Sequence, residues 1–291
     1  MKPGKASGTA KVIAAATLLL DSEGATPNPI APGAAELCRV CLSTSWSDRL
    51  LAASAAHPTT SWLWRWIERR THPGIIDHYW NRKRWIERLC REAIDDGYGR
   101  IVIPGAGFDT LGIRLAREFD HLEVMEIDHP ATQQGKLDAM RRNSVPLPRN
   151  LHFISADLSK DGLPRLAPTE ASSVFILEGL LMYLGEDTIH RLFGTLRTMP
   201  VPRLRMIFSF MTRWPDGTCG FHPRSRWIDR WLKRRGELFS WSLAPDRLPT
   251  FLAAHGFSCD EMRSTRQLAE SAGPLDGENL VVCERSENPG A

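Results

Sequence analysis

The chain has 291 residues, of which 42% are hydrophobic, enough for a large buried core, and a net charge of only +3. So small an excess excludes a global electrostatic pull toward nucleic acid. The six cysteines (38, 41, 90, 219, 259 and 283) are scattered. The one close pair, Cys38-x-x-Cys41, has no second pair or histidine cluster to complete a metal site, so they read as thiols of a reducing compartment.

In chain order, the apolar run Val12–Leu20 follows Lys2, Lys5 and Lys11. It is too short to span a bilayer, and no convincing cleavage site follows it. It predicts an amphipathic N-terminal helix of a cytoplasmic protein that does not associate with membranes. Residues 1–73 together predict an irregular helical segment, broken by Pro27, Pro29, Pro32 and Pro58. Trp62, Trp64 and Trp66 alternate there beside Arg65, Arg69 and Arg70. A long helix is predicted from Ile76 to Asp95, stopped by Gly97.

Strands are then predicted at Arg100–Ile103, Leu122–Glu126, Leu151–Ser155, Val174–Leu177, Leu204–Phe210, Phe257–Met262 and Leu280–Glu284. Helices near Thr110–Arg117, Ala131–Arg142, Asp187–Leu196, Pro223–Arg235 and Pro245–His255 separate most of them. This alternation predicts an α/β chain with a doubly wound, Rossmann-like sheet. Seven strands with the last two close together fit a class I methyltransferase sheet better than a six-stranded nicotinamide-binding domain.

The stretch Ile101-Val-Ile-Pro-Gly-Ala-Gly-Phe-Asp-Thr110 ends a β-branched run in a glycine-rich turn. Gly105 and Gly107, with Ala106 between them, let the backbone bend sharply and approach a ligand at a helix N-terminus. Asp128 lies 21 residues beyond Gly107, at the tip of the next strand, where a carboxylate accepts hydrogen bonds from ribose hydroxyls. A dinucleotide fingerprint would carry a third glycine where this chain has Thr110. Asp109 would also place negative charge against a pyrophosphate. A cationic ligand suits that turn better. S-adenosylmethionine, with a sulfonium and an ammonium beside its adenosine, is the predicted cofactor.

Gly105-Ala-Gly-Phe-Asp-Thr110 with Arg114-Leu115, then Glu126-Ile-Asp-His-Pro130, resembles the leucine carboxyl methyltransferase family. Its bacterial members are often described as polyketide or secondary-metabolite O-methyltransferases. The likeness continues in order through Asn81–Glu87, Ala156-Asp-Leu158, Glu178-Gly-Leu-Leu-Met-Tyr-Leu184, Arg235–Phe239, Leu248 and His255-Gly-Phe257. It implies that Arg82 holds the cofactor's carboxylate, that Asp157 and Leu158 lie beside the adenine, and that Glu178 belongs to the cofactor site. Leu111 stands where the family commonly has a basic residue, and Thr17 where an arginine is often found. These departures bear on the substrate more than on the cofactor.

The residues also have readings independent of the resemblance. Asp157 could start a helix as a cap, and Asp109 suits a cap on the glycine-turn helix. His129 reads as part of the strand-end turn that carries Asp128, and is counted with it among the cofactor-binding residues. Glu178 ends an apolar strand, where a buried acid needs a cationic partner; the cofactor's ammonium is the expected one. Tyr183 is the candidate to close the methyl-transfer site.

Methyl transfer from a sulfonium is an in-line displacement. A carboxylate acceptor is already ionised near neutral pH, whereas a phenol needs a base. No convincing base lies near the cofactor motifs, so a carboxylate is the expected acceptor. Between 213 and 235 seven basic residues face only Asp216 and Asp229, with Trp214, Trp227 and Trp231 among them. This region, 198–235, is predicted to be a helical cap insertion that selects the substrate within a catalytic domain spanning 74–291. Arg213, Trp214, Arg226 and Trp227 are its candidate contacts. The sequence thus predicts an O-methyltransferase of a small-molecule carboxylic acid, with no metal. A methyltransferase of a protein C-terminus or of RNA, and a non-catalytic S-adenosylmethionine-binding domain, are the rivals.

Overall fold

The computed structural model describes residues 7–24, 29–269 and 273–286. Its centre is a seven-stranded sheet in the order β3-β2-β1-β4-β5-β7-β6. The strands are β1 (Arg100–Pro104), β2 (Glu123–Asp128), β3 (Leu151–Ser155), β4 (Ser173–Leu177), β5 (Leu204–Met211), β6 (Phe257–Ser264) and β7 (Glu278–Arg285). Strands β1 to β5 pair in parallel, and β7 runs antiparallel to both β5 and β6.

A largely parallel sheet must bury both faces, and side chains alternate between them. Ile101 and Ile103, Val174 and Ile176, and Leu280 and Val282 enter one core. Val102, Phe175, Leu177, Val281 and Cys283 enter the other. The first core is covered by α5 (Ile75–Asp95), α6 (Leu111–Glu118) and α7 (Pro130–Arg142), and the second by α8 (Glu186–Arg197) and α10 (Leu248–Ala254). The strand order reverses between β1 and β4, which opens a crevice at the C-terminal ends of the strands.

Four helices precede the sheet: α1 (Gly8–Glu23), α2 (Ala34–Cys41), α3 (Trp46–Ala56) and α4 (Pro58–Thr71). The sequence predicts an amphipathic first helix, and here the structure differs. Ala14 to Leu20 are buried without interruption, so α1 is enclosed on all sides along that stretch. It packs on α2, α3, α4 and α5. No described helix is long and apolar enough to cross a membrane.

After β5 the chain leaves the sheet and returns through α9 (Arg226–Arg235). This helix begins three residues later than the predicted Pro223, where Ser225 accepts a hydrogen bond from the Ile228 N–H and caps it. The expected helix from Pro245 is a 3₁₀ turn over Pro245–Arg247 that leads into α10. The short helix α11 (Thr265–Leu268) joins β6 to β7.

Candidate functional site

A cavity of about 460 Å³ occupies the crevice. Its floor is the turn after β1, its sides are the segments after β2, β3 and β4, and α1 and α5 close it. Arg82, Gly105, Ala106, Gly107, Asp128, His129, Asp157, Leu158, Glu178 and Tyr183 all line it. One cavity therefore gathers every residue the sequence assigns to the cofactor, together with the candidate Tyr183.

Gly105 and Gly107 have φ of +76° and +54°, the left-handed region that glycine enters without steric cost. A Cβ on Gly105 would lie 3.1 Å from Leu180, and one on Gly107 would lie 3.3 Å from Ala10 of α1. The turn is locked from β2. Asp128 accepts from the Gly107 N–H at 2.5 Å through one oxygen and from the His129 N–H at 2.6 Å through the other. Burial nonetheless pushes the Asp128 carboxyl upward in pKa. His129 Nδ1 accepts from the Ala131 N–H at 3.2 Å and caps α7, which is the turn role expected for it. Asp157 accepts from the Ser159 N–H and Oγ, so it caps a turn beside the cavity rather than a helix.

Asp109 accepts from the Thr110 and Leu111 N–H groups but sits one residue before the N-cap of α6, Thr110, so it ties the turn rather than occupying the cap position expected for it. It also pairs with Lys83 at 2.9 Å. Burial works to raise its pKa, but Lys83 outweighs that and holds the carboxyl well below the usual range.

Glu178 has cationic partners that the sequence reading did not name. Its cost of burial is met by protein cations, Arg82 at 2.8 Å and Lys83 at 3.3 Å. Both contacts, and a hydrogen bond from Arg82 Nε, fall on Oε1, which leaves Oε2 without a partner among the described residues. Arg82 also donates from one terminal nitrogen to both oxygens of Glu278, at 2.9 Å each. Glu278, in β7, further pairs with His78 at 2.6 Å. Burial alone would raise its pKa; Arg82 and His78 outweigh that and hold it at about 2. The result is a buried charge network, His78–Glu278–Arg82–Glu178–Lys83–Asp109, along one wall of the cavity.

A second cavity, of about 530 Å³, lies between α4, the start of α5, and α9. Thr9, Tyr79, Tyr183, Phe221 and Phe239 line both cavities and form the neck between them. Burial pushes the Tyr79 hydroxyl up to about 12 and raises Tyr183 further, so both phenols stay protonated and can donate. His72 lines the second cavity, and burial lowers its pKa, which favours the neutral imidazole.

The first turn of α1 is fastened at the neck by Glu237. That buried carboxylate accepts from the Gly8 N–H at 2.8 Å, the Thr9 N–H at 3.0 Å and the Thr9 hydroxyl. It thereby satisfies N–H groups that a helix start leaves open.

The expected substrate contacts are dispersed. Trp227, 72% exposed, lines the second cavity at its edge. Arg226 lines neither cavity. Arg213 bonds Ser242 at 3.3 Å, and Trp214 donates to the Gly220 carbonyl at 2.9 Å and packs on His222. Those two organise the turn after β5 and also lie outside both cavities. Trp64 and Trp231 line the second cavity instead. Sequence reasoning missed Tyr79, Lys83, His72, Glu237 and Glu278. Tyr79 and Lys83 carried a signal, since both sit on the predicted long helix near Arg82, and so did Glu237, which lies in the Arg235–Phe239 segment of the resemblance.

Comparison with known proteins agrees with this architecture. Residues 35–197 match the family described as leucine carboxyl methyltransferase. A Mycobacterium bovis protein named "Putative S-adenosyl-L-methionine-dependent methyltransferase" is 28% identical over 266 residues, covering 85% of this chain and 79% of its own. YktD of Bacillus subtilis, given the same description, is 29% identical over 133 residues, and the match spans 44% of each chain. A Thermobifida fusca structure described as that of "a putative methyltransferase" shares the fold with a TM-score of 0.58 at 14% identity, covering 98% of this chain and 97% of that one.

Proposed function

This chain belongs to the leucine carboxyl methyltransferase family and is an S-adenosylmethionine-dependent methyltransferase; from that premise we propose that it methylates an oxygen, the carboxylate of an apolar small molecule. The residues on the first cavity fit the cofactor. The two left-handed glycines leave the turn bare of side chains, and Asp128 is oriented by two backbone N–H groups, ready to accept from ribose hydroxyls. Glu178 Oε2 is an open acceptor for an ammonium group. Arg82 and Lys83 line the same cavity but are already paired with Glu178, Glu278 and Asp109, so a cofactor carboxylate would share them with those acids. The bound cofactor supplies an electrophilic methyl group on a positively charged sulfur.

The observation that carries the carboxylate reading is the neck. Its polar side chains are Thr9, Tyr79 and Tyr183, all of them hydroxyls, and both phenols are held protonated. Glu237, beside it, is occupied by the first turn of α1. Glu278 is held ionised by Arg82 and His78. Phenolic donors can orient a carboxylate, which needs no base because it loses its proton well below neutral pH. The apolar walls of the second cavity keep water from the reacting oxygen.

Incubation with methyl-tritiated S-adenosylmethionine and a panel of aromatic and fatty acids tests this. The expected product is a methyl ester that releases volatile methanol under mild alkali. Alkali-stable label would mean an ether or amine and would sink the carboxylate reading.

One observation favours a second reading. His72 is a buried imidazole kept neutral in the acceptor cavity, the state a general base requires. It would serve a phenol or enol acceptor. In that case the rate rises with pH through the imidazole pKa and collapses in His72→Phe, whereas a carboxylate acceptor gives a flat profile between about pH 6 and 8.

A further inference from the structure

We propose that the acceptor is a bifunctional acid, with an apolar body and a second anionic group that rests on Arg230 and Arg234 at the mouth of the second cavity. The inference depends on the carboxyl-methylation reading and names the substrate class for it.

The charged side chains on that cavity are few, and most are already neutralised. Glu68 is paired with Arg65 at 2.9 Å and accepts from the Ile76 N–H. Asp229 is paired with Arg224 at 2.8 Å. His72 is kept neutral by burial. Arg230 and Arg234 remain: both line the cavity, and neither has an ion pair or hydrogen bond among the described residues. Spaced i, i+4 on α9, they stand on one face of the helix, on the exposed side of the cavity. Between them and the neck the walls are apolar, with Trp64, Ile75, Phe221 and Leu232.

A chain filling this space presents one end to the hydroxyls at the neck and the other to two unneutralised guanidinium groups. An uncharged far end would leave both cations unused. A carboxylate or phosphate there gains charge-assisted hydrogen bonds. The arginines are exposed, so the expected gain is about tenfold in affinity, the size of one or two solvent-exposed ion pairs.

Calorimetric titration of the S-adenosylhomocysteine-loaded protein tests the proposal. The probes are octanedioate, dodecanedioate and hexadecanedioate, each against its monocarboxylic counterpart, so that the outcome does not hang on one chain length. The expected result is that at least one diacid binds about tenfold tighter than its monoacid, that this difference shrinks at high salt, and that it vanishes in the Arg230→Gln/Arg234→Gln variant. S-adenosylhomocysteine affinity stays at the wild-type level in that variant, which shows that the fold is intact. Equal affinity of diacid and monoacid at every length overturns the proposal and leaves carboxyl methylation standing. Absence of binding by any acid, together with alkali-stable methyl label, overturns carboxyl methylation and the proposal with it.

Discussion

Replacing Glu278 with glutamine keeps its shape and removes the charge that Arg82 and His78 share. Its carboxyl titrates at about 2, against 4.5 for an unperturbed glutamate. That depression corresponds to about 3 kcal/mol of stability at neutral pH. The sign is that of a lowered carboxylate: the contribution is complete above the unfolded value and is lost as pH falls from about 4.5 toward 2. Glu278→Gln also leaves Arg82 buried with Glu178 as its remaining acid, so a total loss of about 3–5 kcal/mol is expected. With an unfolding entropy of about 2.1 cal/mol/K per residue, this is a fall of roughly 5–8 °C in Tm. Urea unfolding at pH 7, repeated down to pH 3, measures both parts. The wild type should lose stability through the acid range more steeply than the variant, by one proton's worth of slope. A loss below about 1 kcal/mol at pH 7, or identical acid slopes, would refute the claim that this network is held by charge.

Two other outcomes follow from the first cavity and from the thiols. Asp128→Ala removes the acceptor of the Gly107 and His129 N–H groups as well as the ribose contact proposed for it, so S-adenosylhomocysteine affinity should fall about 10–100-fold by calorimetry; unchanged affinity would mean the ribose lies elsewhere. Burial pushes Cys38 to about 11 and Cys41 to about 12, whereas Cys259 is exposed. Iodoacetamide at pH 8 should therefore label Cys259 in the native protein, read by peptide mass spectrometry, and reach Cys38 and Cys41 only after unfolding; rapid native labelling of that pair would contradict the burial.

The sheet was legible because its central strands are short, near-continuous apolar runs, the signature of strands buried on both faces, which needs no distant information. Where polar residues interrupt the run, the boundary moved. Strand β2 extends through Asp128 because its backbone pairs with Ser155, although Glu126 and Asp128 disguise it as a strand end. Helix α1 misled for a related reason. A run of apolar residues indicates burial, but whether it is buried on one side or all around depends on what packs over it. Here α2, α3 and α4 complete the enclosure.

The glycine turn was readable since its pattern is local: two glycines, and an acid at the next strand tip. The charge network was not, because its members meet only through the fold. Arg82 reaches Glu178 across 96 residues of sequence and Glu278 across 196. A buried acid at a strand end announces that it needs a cation, and both the cofactor's ammonium and a protein guanidinium answer that need. Sequence chemistry fixes the sign of the partner and leaves its identity to topology. The same reasoning explains the dispersed substrate contacts. The 213–235 stretch is basic and aromatic throughout, yet its place in the fold decides which of its residues meet the cavity. Trp227, Trp231, Arg230 and Arg234 line the cavity, while Arg226, at the first position of α9, lies outside it and Arg213 and Trp214 are used by the turn after β5.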